Sequence, residues 1–487
     1  MKSIVELSRP ARLAIAGAII SLLAGPTLLV VTAPAEAAGP VFRVGSYAGT
    51  GLAQSIAGVG FQPDAVIVKN STSAGQAVAR TSSMPANSYK NLYAGTHTTA
   101  GSRFTALDSD GFSLGTNADV NAASTTYYYT AWKATAGYMA VGTYTGDGSG
   151  SRNITGLGFD PGYVIVLNQT TASLPYQRSS SMSSSYSFPP TTADANAITA
   201  LGSGQFTVNS TCNVNTTVYH YIAFAAVSQK AVMGSYAGSG SAADVNVGIF
   251  PGYLILKAVD TPTVNLKSVQ SSLSLATNYS MYFDSAPNSN DHITGLRYDG
   301  FSVSAGSGTN VANDTAAGNA NHYIAFSPYW DSYSDSGYAT MADSFSGASA
   351  TVYMQGILAN SGSYQVTYYD GNGILVQTDA GLAAGSNGVL RPTALTLSNK
   401  GAYASGDWHA VVQGNGATIP TTYSDATSNL HARGVLAIDT FNVAASALPE
   451  FPGTYAALAA TVLCLGVFWL LRRKALPRGA SPGRSIA

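Results

Sequence analysis

A block of sequence recurs three times in this chain, and the recurrence limits what the chain can fold into. The copies open at Val44–Gly49 (VGSYAG), Val141–Gly146 (VGTYTG) and Met233–Gly238 (MGSYAG), spaced about 95 residues apart. That spacing is too long for a solenoid repeat and is typical of a small domain. We therefore expect an array of three similar domains.

Each copy carries its own strand and turn signals. A proline turn precedes a short unbroken apolar run, such as Val66–Val68, which predicts a central strand covered on both faces. The pairs Asp110-Gly111 and Asp299-Gly300 predict hairpin or loop turns with positive φ. An aromatic strand closes each copy, at Tyr127–Trp132, Tyr219–Phe224 and His322–Phe326.

The fold class follows from these signals. No segment has a sustained helical period with caps, and short strands alternate with turns rich in Gly and Ser. The sequence predicts an all-β protein of tandem β-sandwich domains, of jelly-roll or immunoglobulin-like type. In the superposed repeats we expect Phe61, Phe159 and Phe250 at equivalent core positions.

Both ends of the chain predict export. Lys2, Arg9 and Arg12 precede an apolar stretch, and Ala35 and Ala37 form an A-x-A signal-cleavage site; an uncleaved N-terminal anchor is the alternative. At the other end, residues 454–471 form an apolar run of about 18 residues, near the ~17–25 that span a bilayer. Its membrane stop consists of Arg472, Arg473 and Lys474. Everything before Leu448 should therefore lie outside the cell.

A short motif stands just before that apolar run, made of Leu448, Pro449, Glu450, Phe451 and Pro452. Motif, apolar run and basic end together resemble the sorting signals of the exosortase and archaeosortase class (PEP-CTERM and PEF-CTERM-like), and Pro449-Glu450-Phe451 is most similar to the PEF variant. The resemblance implies a sorting transpeptidase as partner, with cleavage near the motif and transfer to the envelope. Because Thr-Gly does not follow Leu448-Pro449, the motif departs from the Gram-positive sortase pattern. A plain membrane anchor is the alternative.

The three copies resemble a domain of unknown function found in phage tail-fibre-like and bacterial surface proteins. Gly142–Gly146, Ile154–Phe159, Pro161 and Asp108–Phe112 carry the resemblance. It implies an exported β domain and no particular chemistry.

The region from 329 to 447 looks like an immunoglobulin-like stalk. Alternation places Tyr364, Val366 and Tyr368 on one strand face, and Asp370-Gly371 predicts a hairpin turn. Trp408 is its predicted core tryptophan. The predicted segments are 1–37 (signal peptide), 38–135, 136–228 and 229–328 (repeats 1, 2 and 3), 329–447 (stalk), and 448–487 (sorting motif, transmembrane helix and basic cytoplasmic end).

Composition limits the partners. Charged residues make up 10% of the chain, against ~25% in an average domain, and the net charge is −1. The chain therefore has no electrostatic footprint for nucleic acid. The two cysteines cannot pair, because Cys212 lies in the exported part and Cys464 in the apolar run.

Motifs for metal or catalytic chemistry are weak. Asp108-Ser109-Asp110-Gly111 and Asp370-Gly371-Asn372-Gly373 begin like calcium loops but lack the closing acid, so we interpret both as turns. His220 and His322 take the position that Tyr128 has in repeat 1, which favours packed aromatic positions over ligands or bases. We assign no metal and no cofactor.

The carboxylates argue against glycoside hydrolysis. No glutamate occurs between Glu36 and Glu450, and no Gly-x-Ser-x-Gly elbow is present. A Ser-His-Asp site has no specific support, so we assign no catalytic residues and expect no enzyme.

The sequence predicts an exported, envelope-anchored surface protein with a structural or adhesive role, whose partners are the membrane, the envelope and a surface glycan or protein. A carbohydrate-binding array using exposed Tyr and Trp rings is the alternative, and a hydrolase of extracellular polymers is a third reading.

Overall fold

The structure of the protein is a computed structural model that describes most of the chain between residues 42 and 444. Within that span it leaves out 72–74, 94–96, 99–101, 170–172, 190–192, 260–267, 276–279, 285–291, 298, 306–311, 314–319, 339–341, 347–349, 359–361, 386–388, 398–402, 421 and 424–434. The described part consists of strands and one short helix, which confirms the all-β class. In this part no helix is both long and apolar enough to cross a membrane.

Repeat 1 contains two antiparallel sheets. Its elements are β1 (Phe42–Ala48), β2 (Gln54–Ala57), β3 (Ala65–Asn70), β4 (Val78–Thr81), β5 (Tyr89–Asn91), β6 (His97–Thr98), β7 (Phe104–Asp108), β8 (Gly111–Leu114), α1 (Ala118–Asn121) and β9 (Thr126–Trp132). One sheet has the order β1-β9-β3-β4-β5-β6, and the other has the order β2-β8-β7. Between them lies a core that includes Val66, Val68 and Phe112.

Repeats 2 and 3 have the same topology. Repeat 2 contains β10 (Met139–Thr145), β11 (Arg152–Ile154), β12 (Pro161–Asn168), β13 (Tyr176–Ser179), β14 (Tyr186–Ser187), β15 (Ile198–Gly202), β16 (Gln205–Val208) and β17 (Val218–Ala225). Repeat 3 contains β18 (Ala231–Ala237), β19 (Ala243–Asn246), β20 (Tyr253–Val259), β21 (Val269–Ser272), β22 (Met281–Tyr282), β23 (Ile293–Arg297), β24 (Gly300–Val303) and β25 (Ala320–Phe326). Their larger sheets run β10-β17-β12-β13-β14 and β18-β25-β20-β21-β22, and their smaller sheets run β11-β16-β15 and β19-β24-β23. The apolar run of each repeat forms an interior strand, as the sequence predicted.

The predicted core phenylalanines each join the core of their own repeat. Phe61 and Phe250 are buried, and Phe159 is partly buried against the equivalent cluster of repeat 2.

The glycine that opens each recurring block has a steric cause. Gly45 lies opposite Tyr129 in the β1–β9 pair, and a Cβ at Gly45 would come within 2.4 Å of the tyrosine Oη. Gly142 and Gly234 face Tyr221 and Tyr323 in the same way. A tyrosine of the closing strand therefore covers each glycine, and only a glycine leaves room for it.

The predicted hairpins are present, but one of the two glycines has a different role from the one we expected. Gly111, in the β7–β8 hairpin, has φ +147°. Gly300, in the β23–β24 hairpin, does not take a positive φ. A Cβ at Gly300 would lie 1.9 Å from the carbonyl oxygen of Val245, so this position needs glycine because the neighbouring backbone approaches closely.

The three larger sheets share one core. Their outer faces meet in a cluster to which all three repeats contribute. At its centre Trp132 lies 5.7 Å from Phe224 and 5.9 Å from Phe326, and the two phenylalanines are 4.9 Å apart, between ring centroids. These three residues stand at the same place in the closing strands β9, β17 and β25. Each one pairs with the first residue of the opening strand of its own repeat. The sequence predicted three similar sandwiches in series but not their contacts, and the structure packs the three against one another.

Specific contacts close the three repeats into a ring. The hydroxyl of Ser83 donates to the carbonyl of Gly142 in repeat 2, at 3.0 Å. Ser181 of repeat 2 donates to Gly234 of repeat 3 in the same way, at 3.1 Å. Repeat 3 contacts repeat 1 through the amide of Ala77, which donates to Phe283 O at 2.8 Å. Each repeat therefore contacts both others.

The C-terminal domain forms a further sandwich. Its strands are β26 (Trp330–Tyr333), β27 (Ser344–Phe345), β28 (Thr351–Ile357), β29 (Ser363–Tyr369), β30 (Leu375–Ala383), β31 (Val389–Leu390), β32 (Leu395–Thr396), β33 (Gly406–Gly414) and β34 (Val435–Val443). One sheet runs β26-β28-β31 with β32 beside β28, and the other runs β27-β34-β33-β29-β30. Its core contains Trp408, as predicted, together with Tyr364, Val366 and Tyr368, which the alternation placed on one strand face.

The C-terminal domain also packs against the ring. Tyr369, Val411 and Ile438 belong to the same apolar cluster as the core of repeat 3. The domain is therefore joined to repeat 3 by buried side chains.

Candidate functional site

Two interfaces of the ring bring serine and histidine together. Oγ of Ser83 lies 3.0 Å from Nδ1 of His220, and Oγ of Ser181 lies 3.0 Å from Nδ1 of His322. The histidines are 1% and 2% exposed. They occupy buried positions, and each also makes a polar contact with the neighbouring repeat.

The partners of His220 determine what this contact can do. Nε2 of His220 lies 2.5 Å from Oε1 of Gln169, an amide oxygen that can only accept, so Nε2 donates and the neutral ring accepts at Nδ1. The hydroxyl of Ser83 has one proton and two acceptors within reach, Nδ1 of His220 and the Gly142 carbonyl, both at 3.0 Å. Gln169 stands where a hydrolase triad has a carboxylate. The contact joins repeats 1 and 2 through side chains of both.

The third interface is built differently. Tyr128 replaces the histidine, and Ser274 takes the position of Ser83 and Ser181. Ser274 Oγ is 3.5 Å from Ser272 Oγ, and it lines, together with Gly45, a cavity of about 210 Å³ between repeat 1, repeat 3 and the C-terminal domain. We call this cavity the seam cavity.

A second cavity, of about 290 Å³, lies between repeat 3 and the C-terminal domain. Asp299, Asp407, His409 and Asp439 supply its titratable groups. His409 Nδ1 lies 3.0 Å from Thr440 Oγ1, and Asp407 accepts from Asn442 at 3.0 Å, so part of this polar set is engaged within the domain.

Asp439 belongs to a buried charge cluster beside this cavity. Lys230 forms an ion pair with Asp331 and lies 4.0 Å from Asp439. Burial raises the pKa of Asp439, and the charge of Lys230 acts in the opposite direction. One ammonium group thus lies near two carboxyl groups. Protonation of one of the two lowers the free energy of burying both of them beside a single positive charge.

Besides Lys230, the lysines Lys69, Lys90 and Lys257 are buried among the described residues of the repeats. Burial lowers the pKa of Lys69 and Lys90 to about 8 and that of Lys257 to about 7. Lys257 Nζ donates to the Pro189 carbonyl of repeat 2 at 2.9 Å. Lys69 donates to the carbonyl of Gly75 at 2.8 Å. These contacts give Lys69 and Lys257 structural roles.

The carboxylates of the calcium-like motifs bind backbone amides. Asp110 accepts from Gly58 N at 3.0 Å and from Gly60 N at 2.6 Å. Asp370 accepts from the amides of Ile374 and Ala404, both at 2.9 Å. In both motifs the aspartate carboxylate therefore holds loop backbone in place by accepting hydrogen bonds from its amides. In the part of the chain that the structure describes, no three His, Cys, Asp or Glu side chains are grouped to hold a metal ion.

The aromatic side chains of the described residues are buried or half-buried. None of their Trp, Tyr or Phe side chains is exposed. Trp132, Trp330 and Trp408 are among the most deeply buried side chains. The large apolar side chains that are exposed are Leu52, Val214 and Ile374.

The residues that we predicted for export and sorting lie outside the described residues. They are Ala35 and Ala37 of the cleavage site, Leu448 to Pro452 of the sorting motif, and Arg472, Arg473 and Lys474 of the membrane stop. Their roles stay predictions.

A set of buried asparagines escaped the sequence analysis. Asn121, Asn213 and Asn313 each accept a hydrogen bond from the loop that follows the opening strand, from Thr50 N, Asp147 N and Ser239 N. The tyrosine of each opening block donates to the carbonyl just before the asparagine, as Tyr144 does to Cys212 O at 2.7 Å. The variable spacing of the asparagines from the preceding phenylalanine, as in Phe112–Asn121 and Phe301–Asn313, hid this signal.

Comparisons with known proteins identify one domain. Residues 37–140 match a family described as a domain of unknown function (DUF7483). The match covers β1 to β9 and so includes all strands of repeat 1. None of the curated proteins compared with the chain matches it.

Two solved structures show remote likeness. One is a β-glucuronidase of Faecalibacterium prausnitzii, with 12% identity and a TM-score of 0.16; the alignment covers 63% of this chain and 37% of the enzyme. The chain thus spans well under half the length of that enzyme. The other is described as a Ca2+-stabilized adhesin that helps an Antarctic bacterium bind ice, with 14% identity and a TM-score of 0.14, covering 83% of this chain and 94% of that one.

Proposed function

We propose that this chain is an exported protein of the cell envelope with a structural or adhesive role. The observation that carries the proposal is the closed ring, in which the recurring motifs maintain packing. The glycines make room for tyrosines, Asp110 holds a loop, and the Ser–His contacts join repeats. The motifs common to the repeats are thus used to build a rigid body and not to hold a substrate.

The patterns at the two ends of the sequence are what support export and anchoring. The low charged fraction of 10% supports a surface made of Ser, Thr, Asn and Gly. A membrane-embedded transpeptidase would act at Leu448 to Pro452 and leave a mature protein that ends near this motif. We further propose that the body has no catalytic activity, since an amide oxygen of Gln169, and not a carboxylate, faces His220 beside Ser83.

The carbohydrate-binding alternative has less support. Sugar recognition by stacking needs an accessible aromatic face, and the described aromatic side chains are buried or half-buried. A lectin role would have to depend on hydroxyl and amide groups of the loops.

Fractionation of native cells with mass spectrometry of both termini tests this function. We expect the protein in the envelope, with an N-terminus at Ala38 and a C-terminus between Leu448 and Gly453. Peptides from beyond Phe451 in the mature population would show that the C-terminal segment is a simple membrane anchor that is not processed. Recovery of the intact chain from the cytoplasm would refute export, and polymer hydrolysis by the purified protein would refute the absence of catalysis.

A further inference from the structure

A lysine and two aspartates are buried together where repeat 3 meets the C-terminal domain. Lys230 stands just before β18, Asp331 lies in β26 and Asp439 lies in β34. Lys230 is 8% exposed, and the two aspartates are each 3% exposed. Nζ of Lys230 is in direct contact with Oδ1 of Asp331 and lies 4.0 Å from Oδ1 of Asp439. An amine and two carboxyl groups are therefore held side by side, away from bulk water.

Backbone hydrogen bonds fix the positions of all three residues. The amide of Lys230 donates to Val227 O at 3.1 Å, and its carbonyl accepts from Ser327 N at 2.8 Å. Asp331 lies in the β26–β28 ladder and Asp439 in the β33–β34 ladder. Because the three groups sit on hydrogen-bonded elements, a reaction between them needs no encounter step.

The lysine is specific to the repeat that packs against the C-terminal domain. Val41 and Tyr138 stand at the equivalent positions of repeats 1 and 2, just before the opening strand. Lys230 is therefore not part of the framework that the repeats share. It occurs in the copy whose core continues into the C-terminal domain, which supplies both carboxyl groups.

The charges of this cluster are unequal. Both carboxylate oxygens of Asp331 are buried, and Lys230 is their partner among the described residues. Burial raises the pKa of Asp439; the charge of Lys230 and hydrogen bonds with Ser332 oppose this rise, and the charge of Asp343 adds to it. Asp439 therefore holds a proton more readily than an exposed aspartate does. Burying an ion pair requires desolvation of both ions, whereas an amide in the same place carries no net charge.

We propose that Lys230 and Asp331 condense to form an intramolecular isopeptide bond, with Asp439 as the proton relay. A bond forms between Nζ of Lys230 and Cγ of Asp331, and the bond between Cγ and one carboxylate oxygen breaks. Of the three ammonium protons, one stays on the nitrogen and the other two leave with that oxygen as water. Asp439 gives a proton to the departing oxygen and takes one from the nitrogen, so it ends in its starting state. Nothing is oxidised or reduced.

The surroundings favour the amide over its hydrolysis. Asp439 lines the cavity of about 290 Å³ between repeat 3 and the C-terminal domain, which has room for the released water. The bond would close a loop of chain that contains all strands of repeat 3, and so would restrict the unfolded chain. It would also tie the ring covalently to the C-terminal domain. This cross-link goes beyond the structural or adhesive role and does not depend on it.

Mass spectrometry of the purified full-length chain tests the proposal. We expect an intact mass lower by one water than the mass calculated from the sequence between its termini. Trypsin does not cleave after an acylated lysine, so the peptide that runs through Lys230 should be joined to the peptide that contains Asp331. Lys230→Arg keeps the charge but should restore the full mass and give separate peptides. Asp407→Asn, which changes an exposed carboxylate of the neighbouring cavity, should leave the bond in place.

A further variant tests the proton relay. Asp439→Asn replaces the carboxyl group by an amide of similar size that does not relay protons in this way, and bond formation should slow about a hundredfold or more. The linked fraction, followed with time after purification, measures this change. A wild-type chain with the full mass and separate peptides would overturn the proposal, whether or not the variants fold. A linked fraction in Asp439→Asn equal to that of the wild type would overturn the role of Asp439.

Discussion

The indole ring of Trp132 and the phenyl ring of Phe326 meet edge to face with their centroids 5.9 Å apart, although they belong to the first and third repeats. Phe42, the first residue of β1, also contacts Phe326, at 6.1 Å. The start of the repeat region therefore lies against its end. This contact makes the three sandwiches one packing unit.

Replacement of Trp132 by alanine should destabilise all three repeats together. The side chain is 2% exposed and packs on rings from both other repeats. Removing it should lower the free energy of unfolding by about 3–5 kcal/mol. Denaturant unfolding followed by circular dichroism measures this change. The exposed neighbour Lys133, changed to alanine, is the control, and loss of structure limited to repeat 1 would contradict a shared core.

Gly142→Ala should be strongly destabilising for its size. The added Cβ would lie 2.3 Å from Tyr221 Oη, so the tyrosine ring would have to shift. We expect a loss of about 1–3 kcal/mol, measured by thermal or chemical unfolding. Gly150→Ala is the matched control in the same repeat, because its new Cβ would have its nearest contact at 3.9 Å. Equal stability of the two variants would show that the tyrosine does not need the glycine.

Lys257→Leu should change the pH dependence of stability. Burial lowers the folded-state pKa of Lys257 from 10.5 to about 7, so the unfolded chain binds more protons between these values. The stabilising contribution is present above the unfolded pKa and is lost as pH falls toward 7. Between these two pKa values, Lys257 alone makes the free energy of unfolding rise by up to about 1.4 kcal/mol per pH unit.

Repeat 2 supplies the replacement residue for that experiment, since Leu167 stands at the position of Lys257 and faces His220 as Lys257 faces His322. Unfolding free energies at pH 7.5 and 9.5 should rise with pH in the wild type and rise less in Lys257→Leu. An identical slope in both proteins would refute the assignment of this proton to Lys257.

Asp110→Ala should release the loop that precedes the apolar strand of repeat 1. Both carboxylate oxygens accept from loop amides, so their removal leaves Gly58 N and Gly60 N without these bonds. Amide hydrogen exchange should become faster at both glycines and leave β3 protected. Asp108→Ala is the control, because Asp108 accepts from Ser113 Oγ instead. Faster exchange in the control alone would contradict the role of Asp110.

The sequence predicted the parts of the fold that depend on local patterns. Apolar runs such as Val66–Val68 gave interior strands, and Trp408 is buried as expected. The ring was not predictable in the same way. An apolar run shows that both strand faces are covered, but not whether a second sheet or another repeat covers them.

Signals for the repeat interfaces were present but weak. Ser83-Met84 and Ser181-Met182 recur at equivalent places, yet a chain rich in serine hides such a pair. The histidines were visible, but their partners lie 137 and 141 residues away in sequence. Periodicity within one repeat carries no information about contacts at that separation.

Closure of the ring by unlike surfaces is the arrangement of a cyclic homotrimer, since each repeat presents one surface to the repeat before it and a different one to the repeat after it. In a homotrimer the folded state would depend on protomer concentration. Covalent linkage replaces that association by an intramolecular step at high effective concentration. For the exported protein that we propose, whose dissociated subunits would diffuse away, fusion into one chain makes the assembly insensitive to dilution. Fusion also lets each copy diverge, so that one of three related interfaces has Tyr128 where the other two have a histidine bonded to a serine.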